Sequence, residues 1–594
     1  MARVLSTALH AISFAAESLL GFISIVRNGK PGNNDIDAVF RKIHLAKTVY
    51  VVNHQNLTQE EYVVLVFLQG LTAKKEAAIY IDDSIDTYDM HRKYIKEYQK
   101  RYVDTGKSNV TFDYSIQNMW TLVEMFKDSF DSKFVTYGSF EESDPTINMA
   151  ATIAGVDCVL GIPAALRDEA LAHGLTEVRD LRTIKGDYIE KQKAIFEEYK
   201  DKLNKHLLIH VNPQDIGVRD LGIANDCFHF FTHDRENSPR TFLPERGFRH
   251  EVYRWSEYNA LILGFWAWGD EIVFLDDMSH YGKSFLPHSG RNNGTLLMAL
   301  EGKEKVAQSW RVNDAVPKAK AVEGKHTIAF YVTDGDNISG GEKGGGVCAP
   351  YETMLKQRAT SGDTFKMTYS IAPLLGKLSP FTAEYLYDNE DSYGLGEYDS
   401  YVGCTSGMSI INASSYPRRT LKSFAKMTAE TMDRMDIRVM TPIDQIWHNM
   451  FFIFRTKDIW GKFAKYDSIN GGIWQIDVPR YYVGRGLVVW AKGKPWVSVR
   501  TALWGPDDTH NSVTHEWLDK IAVSLNQRCT NPHKIDGYSV IGIHPWSIHY
   551  SDIHYLVSKL DMDKVQLVFG EELIDMVTEN VPHRFAIPKR ELAN

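Results

Sequence analysis

A chain of 594 residues is too long for one ordinary core and allows about two to four domains. Its composition, 44% hydrophobic, 12% aromatic and 24% charged, is that of a globular protein and excludes wholesale disorder. A formal net charge of -9 offers no broad attraction to phosphate backbones or anionic bilayers, so nucleic acid is not an expected partner.

At the amino terminus, Arg3 followed by an apolar stretch and small residues at Ala15 and Ala16 suggests a secretory signal or anchor. Ser6, His10, Ser13 and Glu17 recur at helical spacing, which suggests instead an amphipathic helix of the folded protein. Residues 1–30 are left with both readings, and no other span approaches transmembrane length. From residue 31 to about 320, short β-branched and aromatic runs alternate with helical patterns. Thr48 to Val52, Ala78 to Ile81, Val110 to Tyr114, Leu207 to Val211 and Leu261 to Trp266 read as strands; Asp86 to Tyr102 and Asp187 to Asn204 read as helices. This alternation predicts an α/β domain with a largely parallel sheet. No glycine-rich phosphate loop opens any of these helices, and no cofactor is expected. Five scattered cysteines without metal-type spacing argue against a disulfide framework or a structural zinc site. The sequons at Asn56, Asn109, Asn293, Asn337 and Asn412 are too short a pattern to decide secretion.

Arg311 to Lys325 is small, charged and proline-containing, and reads as a linker. Beyond it, apolar runs recur at the spacing of βα units: Thr327 to Val332, Phe365 to Ile371, Ser400 to Cys404, Ile437 to Met440, Gly472 to Ile476, Trp496 to Thr501, Tyr538 to Ile543 and Val565 to Phe569. Eight strands over residues 321–594 predict a (β/α)8-like barrel, with Leu487 to Trp490 as a surplus ninth run.

In such a fold the chemistry gathers at the carboxyl ends of strands. The run HTIAFYVTDGDN ends in Asp334, Asp336 and Asn337; Asp444 follows the fourth strand, Asp477 the fifth and His544 the seventh. Paired carboxyl groups, one protonated and one ionised, are what glycosidic hydrolysis requires, and Asp336 with Asp444 or Asp477 would supply them. Arg500, near the end of the sixth strand, could pair with an acid, and Trp504 and Trp546 lie beside loops where they could stack on a sugar. Each has a plainer reading. TDGDN could be only a polar turn, Asp444 a helix cap, Asp477 a loop residue, His544 a core histidine, and Glu571 and Glu572 first-turn helix acids. His544, His549 and His554 are spaced by five, which suits no shared ion on a helix face, and no metal is expected.

In the order of its segments the chain resembles the GxGYxYP family of putative glycoside hydrolases across roughly residues 45 to 580. The resemblance rests on Leu68-Gln69-Gly70-Leu71 with Ala78-Ile79-Tyr80-Ile81, on Leu263 to Asp270, on Asp334-Gly335-Asp336-Asn337, and on Ser370-Ile371-Ala372-Pro373 with Ser406-Gly407. At the eponymous motif the sequence reads Gly407-Met408-Ser409-Ile410-Ile411-Asn412-Ala413, keeping the first glycine and losing the second, both tyrosines and the proline. The resemblance implies a carbohydrate-related fold, a poly- or oligosaccharide substrate, and an extracellular or cell-surface address. The altered motif brings in an alternative, a non-catalytic carbohydrate-binding or structural protein that kept the fold. A second alternative is a metal-dependent polysaccharide deacetylase, because TDGDN is similar to the metal-binding aspartates of that class.

Overall fold

Four sheets organise the chain in the computed structural model, which describes residues 30–82, 95–233, 239–264, 271–287, 293–312, 317–336, 349–388, 396–445, 452–477, 485–505, 509–586 and 588. The amino-terminal segment 1–29, the helix expected from Asp86 as far as residue 94, and Asn337 lie outside these residues. Among the described residues no helix is long and apolar enough to cross a membrane.

The first three sheets are small and wholly parallel. One joins β1 (Leu45–Asn53), β2 (Ala77–Asp82) and β3 (Thr111–Asp113); the next joins β4 (Lys133–Tyr137), β5 (Leu160–Pro163) and β6 (Thr176–Asp180). The third joins β7 (Leu207–His210), β8 (Phe228–Phe230), β9 (Leu261–Gly264) and β10 (Ser284–Pro287). The expected alternation is present, divided among three sheets rather than one. Helix α1 (Gln59–Ala73) starts on a Thr58/Glu61 capping box and is buried from Tyr62 to Ala73, which is why its sequence is apolar all round instead of striped. Its Gln69 amide donates to the Ile79 carbonyl (3.1 Å) and to Asn293 Oδ1 (2.6 Å). Asn293 also accepts from Ile81 N–H (2.8 Å) and is fully buried, so that sequon is a structural asparagine.

The fourth sheet collects β11 (His326–Val332), β12 (Met367–Ile371), β13 (Asp399–Gly403), β14 (Val439–Met440), β15 (Ile443–Gln445), β16 (Gly471–Asp477), β17 (Val488–Ala491), β18 (Lys494–Ser498), β19 (Thr501–Leu503), β20 (Tyr538–Ile543) and β21 (Val565–Leu567). Its path is β17-β18-β16-β14-β13-β12-β11-β20-β19, with β15 on β16 and β21 on β11. All eight strands expected from the apolar runs are present, and the surplus run is β17, which forms an antiparallel hairpin with β18. The ladders form no closed ring among the described residues, so a regular eight-stranded barrel is not observed. The sixth expected strand is broken. Val499 N–H donates to the Trp474 carbonyl (3.0 Å) while Arg500 N–H donates to the Val540 carbonyl (2.8 Å), so the chain leaves β16 for β20 within two residues. Every residue of β11 is buried, as a strand covered on both faces must be.

Two further expectations change. Asp444 stands in strand β15, opposite Ile476. The presumed linker is anchored at its start: Arg311 bonds Asp436 Oδ2 (2.8 Å) and the buried Glu571 (2.6 Å) at the start of helix α7, taken below as Gly570–Asn580. Glu572 accepts from Lys366 Nζ (2.6 Å), Ala319 N–H (2.7 Å) and Phe569 N–H (2.9 Å). Both glutamates are therefore buried ion-pair anchors as well as first-turn acids.

Candidate active site

The strand β11 delivers its polar end into a tight turn. Thr333 donates to the Ile543 carbonyl from both N–H (2.9 Å) and Oγ1 (3.1 Å), which continues the pairing with β20 past the last strand residue. Asp334 then takes a left-handed backbone conformation with φ +66°. Gly335 N–H donates to Ser370 Oγ (3.1 Å), and the Gly335 carbonyl accepts from Ala372 N–H (3.1 Å). A Cβ on Gly335 would stand 1.8 Å from the Ser370 carbonyl oxygen, so only glycine lets this turn lie against β12. We expect Gly335→Ala to displace both aspartates and to cost about 2 kcal/mol or more, read as a lowered denaturant midpoint at unchanged slope.

The two carboxyl groups then meet different surroundings. Asp334 Oδ2 lies 3.5 Å from His544 Nε2, longer than a good hydrogen bond but within ion-pair range. The His544 ring is held from both sides. Its Nδ1 is 2.9 Å from Ser547 Oγ, which itself accepts from Gly505 N–H (3.0 Å), and Trp504 stacks on it at 3.4 Å between centroids and 8° between planes. His544 N–H donates to the Leu503 carbonyl (3.0 Å), so β19 and β20 end side by side with Trp504 and His544 as their first loop residues. The histidine is buried and hydrogen-bonded, and its carbonyl opens the turn that follows by accepting from Ser547 N–H (3.2 Å) and Ile548 N–H (3.0 Å).

Asp336 is half-buried, beside Asp334 and the Thr405 hydroxyl. Burial, and after it the charge of Asp334, push its carboxyl up to about 7, against which the Thr405 hydrogen bond works. Cys404 lies close by and in hydrogen-bond contact with Ser370 and Thr405, its thiol kept protonated by burial and then by the Asp336 charge. Tyr331, from inside β11, reaches Thr441 and Ser370. The cluster of side chains around Asp334 and Asp336 therefore draws on β11, β12, β13, β14, β19 and β20. Tyr331, Ser370, Cys404, Thr405 and Thr441 are absent from the residues predicted from sequence, although Ser370 lies in a segment that carries the family resemblance.

The other expected residues divide. Asp477 closes β16 opposite Gln445, and Asp444 is opposite Ile476, so the two acids fall at successive register positions on adjacent strands. Trp546 follows His544 in the loop after β20 and is 45% exposed, free to meet a ligand. Arg500 is elsewhere. Its Nη1 donates to the carbonyls of Asp536 (2.9 Å) and Tyr538 (3.1 Å), at the start of β20 and so roughly five residues, about 17 Å, from the His544 end. A separate cavity of 460 Å³ opens at the carboxyl ends of β1 and β2, lined by Asn53, Asp82, Lys96, Tyr114 and Gln117 among others. Among the described residues its lining offers one carboxylate and no histidine.

The segment that aligns with the family's name forms a joint between the sheets. Ile410 exchanges two backbone hydrogen bonds with Phe285 of β10 (3.0 and 2.7 Å) and is buried, as are Met408 and Asn412. Asn412 Nδ2 donates to Asp276 Oδ1 (3.0 Å). The retained Gly407 has φ +135°, and a Cβ there would stand 2.6 Å from Thr428 Oγ1. In this chain, then, the altered positions are packing residues: Met408 and Ile410 lie in cores, and Asn412 holds the third sheet's helices to the fourth sheet.

Fold and site together define an α/β protein with an acidic cluster at the carboxyl edge of a parallel sheet. The chain belongs to the GxGYxYP family: residues 324–578 match the GxGYxYP putative glycoside hydrolase C-terminal domain, and residues 48–128 match the GxGYxYP_N 1st domain. The crystal structure of a putative hydrolase from Bacteroides thetaiotaomicron VPI-5482 is similar in fold, with a TM-score of 0.76 at 22% identity over 93% of this chain and 98% of that one. No curated protein matches the chain.

Proposed function

We propose that the protein hydrolyses a glycosidic bond in a poly- or oligosaccharide, with Asp336 as the general acid. One observation carries this reading: two carboxyl groups meet at a strand's carboxyl edge in different surroundings, Asp334 at 3.5 Å from His544 and Asp336 where burial and the Asp334 charge raise its affinity for a proton, as a general acid requires. Asp444 or Asp477 supplies the opposing carboxylate, and Asp334, held by His544, positions Asp336 or a sugar hydroxyl. Trp504 and Trp546 offer aromatic faces to the ring. The passage of the chain from β16 to β20 through Val499 and Arg500 supports a barrel-like arrangement in which the ends of β11, β20, β19 and β16 border one hollow. The segments 31–320 and 321–594 would then be scaffold and site-bearing domain.

The test is hydrolysis of a panel of aryl glycosides by the protein and by Asp444→Asn and Asp477→Asn, each with and without azide. Azide restores turnover to a variant that lacks a nucleophile or base by replacing the missing group, and the variant so rescued identifies the second carboxylate. Silence of the wild-type protein across the panel would favour the non-catalytic carbohydrate-binding alternative. Turnover confined to acetylated sugars and lost on chelation would favour the deacetylase.

The raised acid also has a cost in stability. Its folded value lies above the unfolded one near 3.9, so its contribution is fully present below about pH 4 and is lost as pH rises to about 7. Asp336→Asn cannot ionise and should escape that loss. We expect it to exceed the wild type by about 2 kcal/mol at pH 8 and by little at pH 4, measured by urea unfolding at both.

A further inference from the structure

We propose that His510, His549 and Asp552 form a zinc-type metal site that fastens the loop after β19 to the loop after β20. Their ligand atoms all lie within 4.8 Å of one another, and His510 Nε2 is already 3.2 Å from Asp552 Oδ2. A tetrahedral ion with bonds of about 2.05 Å needs a ligand-to-ligand edge of roughly 3.4 Å, so this pair stands at the required spacing. The two imidazoles stack at 3.6 Å between centroids and 12° between planes, and a modest rotation of each ring brings its nitrogen onto a common ion. Two nitrogens and one carboxylate oxygen suit zinc and its first-row neighbours, while calcium and magnesium favour all-oxygen sets. Three protein ligands leave the fourth position to water.

The surroundings prepare the group for a cation. Asp552 is buried and accepts His549 N–H (2.8 Å) at the start of helix α6, taken as Tyr550–Ser558, so its carboxylate is fixed in place. The connectivity gives the site its purpose. Trp504 and His510 bracket one loop, His544 and His549 bracket the other, and the Trp504–His544 stack already joins them at one end. A metal at the other end would make a second rung and hold that wall of the hollow still. Asp334, the Asp336 chemistry and the sugar reading play no part in the argument, so the site stands or falls separately from the proposed function.

The experiment uses the full chain stripped with chelator and titrated with Zn²⁺ in a calorimeter, with Co²⁺ absorption as a second reading of geometry. The expected result is about one equivalent bound, a melting temperature that rises with Zn²⁺, and a tetrahedral Co²⁺ spectrum. His510→Ala and His549→Ala, both at accessible positions, should each weaken Zn²⁺ by about tenfold or more and remove the thermal shift, while melting like the stripped wild type in the absence of metal. Failure of the wild type to take up Zn²⁺ at free concentrations up to about 100 µM, or undiminished binding by both variants, would overturn the proposal.

Discussion

Replacing Asp336 by Asn should lower kcat/KM on sugars with poor leaving groups by about 10²- to 10⁴-fold, and by far less on a dinitrophenyl glycoside, whose leaving group needs no proton. The asymmetry is the informative part. A residue that merely shapes the hollow would slow both substrates alike, whereas a general acid matters in proportion to the basicity of the departing oxygen. The surroundings give the reason for choosing Asp336 over Asp334. Burial and the charge of Asp334 disfavour the Asp336 carboxylate more than the Thr405 hydrogen bond favours it, while Asp334 faces the ring nitrogen of His544 at 3.5 Å. Equal losses on both classes of leaving group would move Asp336 from the acid's role to a positioning one.

The second large effect is on stability and lies away from the site. Asp277 is buried on helix α3, taken as Glu271–His280, and accepts Arg246 through two nitrogens (2.9 and 2.6 Å), Arg249 Nη2 (2.6 Å) and His250 Nε2 (3.0 Å). Burial opposes its ionisation, yet the His250 hydrogen bond and the charges of Arg249 and Arg246 hold its carboxyl far below the usual range. Asp277→Asn would take a carboxylate charge away from Arg249, whose side chain is wholly buried. A loss of about 3–5 kcal/mol is expected, measured by denaturant unfolding near neutral pH. A depressed carboxyl contributes stability above its unfolded value near 3.9 and loses it as pH falls, so the deficit of the variant should shrink below about pH 4. The neighbouring Asp276 receives Asn412, so the same helix also clasps the altered family motif. Loosening α3 should therefore loosen the joint between the third and fourth sheets.

Much of the larger sheet is legible in the sequence because its strands are buried on both faces and read as unbroken apolar runs. Tyr538–Ile543 is the plainest case. What escapes is polar, short or broken. The edge strand β6 reads TEVRD, and β15 is three residues long and includes Asp444, which local chemistry would place at a helix start. The break at Val499 and Arg500 depends on which partner each amide finds, and no local pattern encodes that. The site is legible in the same uneven way. Asp334 and Asp336 announce themselves as two acids at the end of a buried strand, and His544 as a histidine after another. Ser370, Cys404 and Thr405 are ordinary small residues until β12 and β13 bring them against the turn. His510 and His549 are separated in the chain by a helix and a strand, so their stacking is a property of the fold alone.

Arg500 shows the opposite failure. An arginine near a strand's end looks available to an acid, but in a broken strand the end that matters is that of β19, and Arg500 precedes it, bound to carbonyls at the start of β20. Conversely, the loss of both tyrosines from the eponymous motif seemed to threaten catalysis, and the structure instead puts those positions in packing against β10 and α3.

One carboxyl group at the end of β11 should stay protonated to near neutrality, and infrared difference titration of the free protein reads it with no substrate at all. Subtracting the spectrum of Asp336→Asn should leave a protonated-carboxyl band that persists past pH 6 and vanishes around pH 7. A band already gone by about pH 5, the behaviour of an ordinary aspartate, would contradict the account.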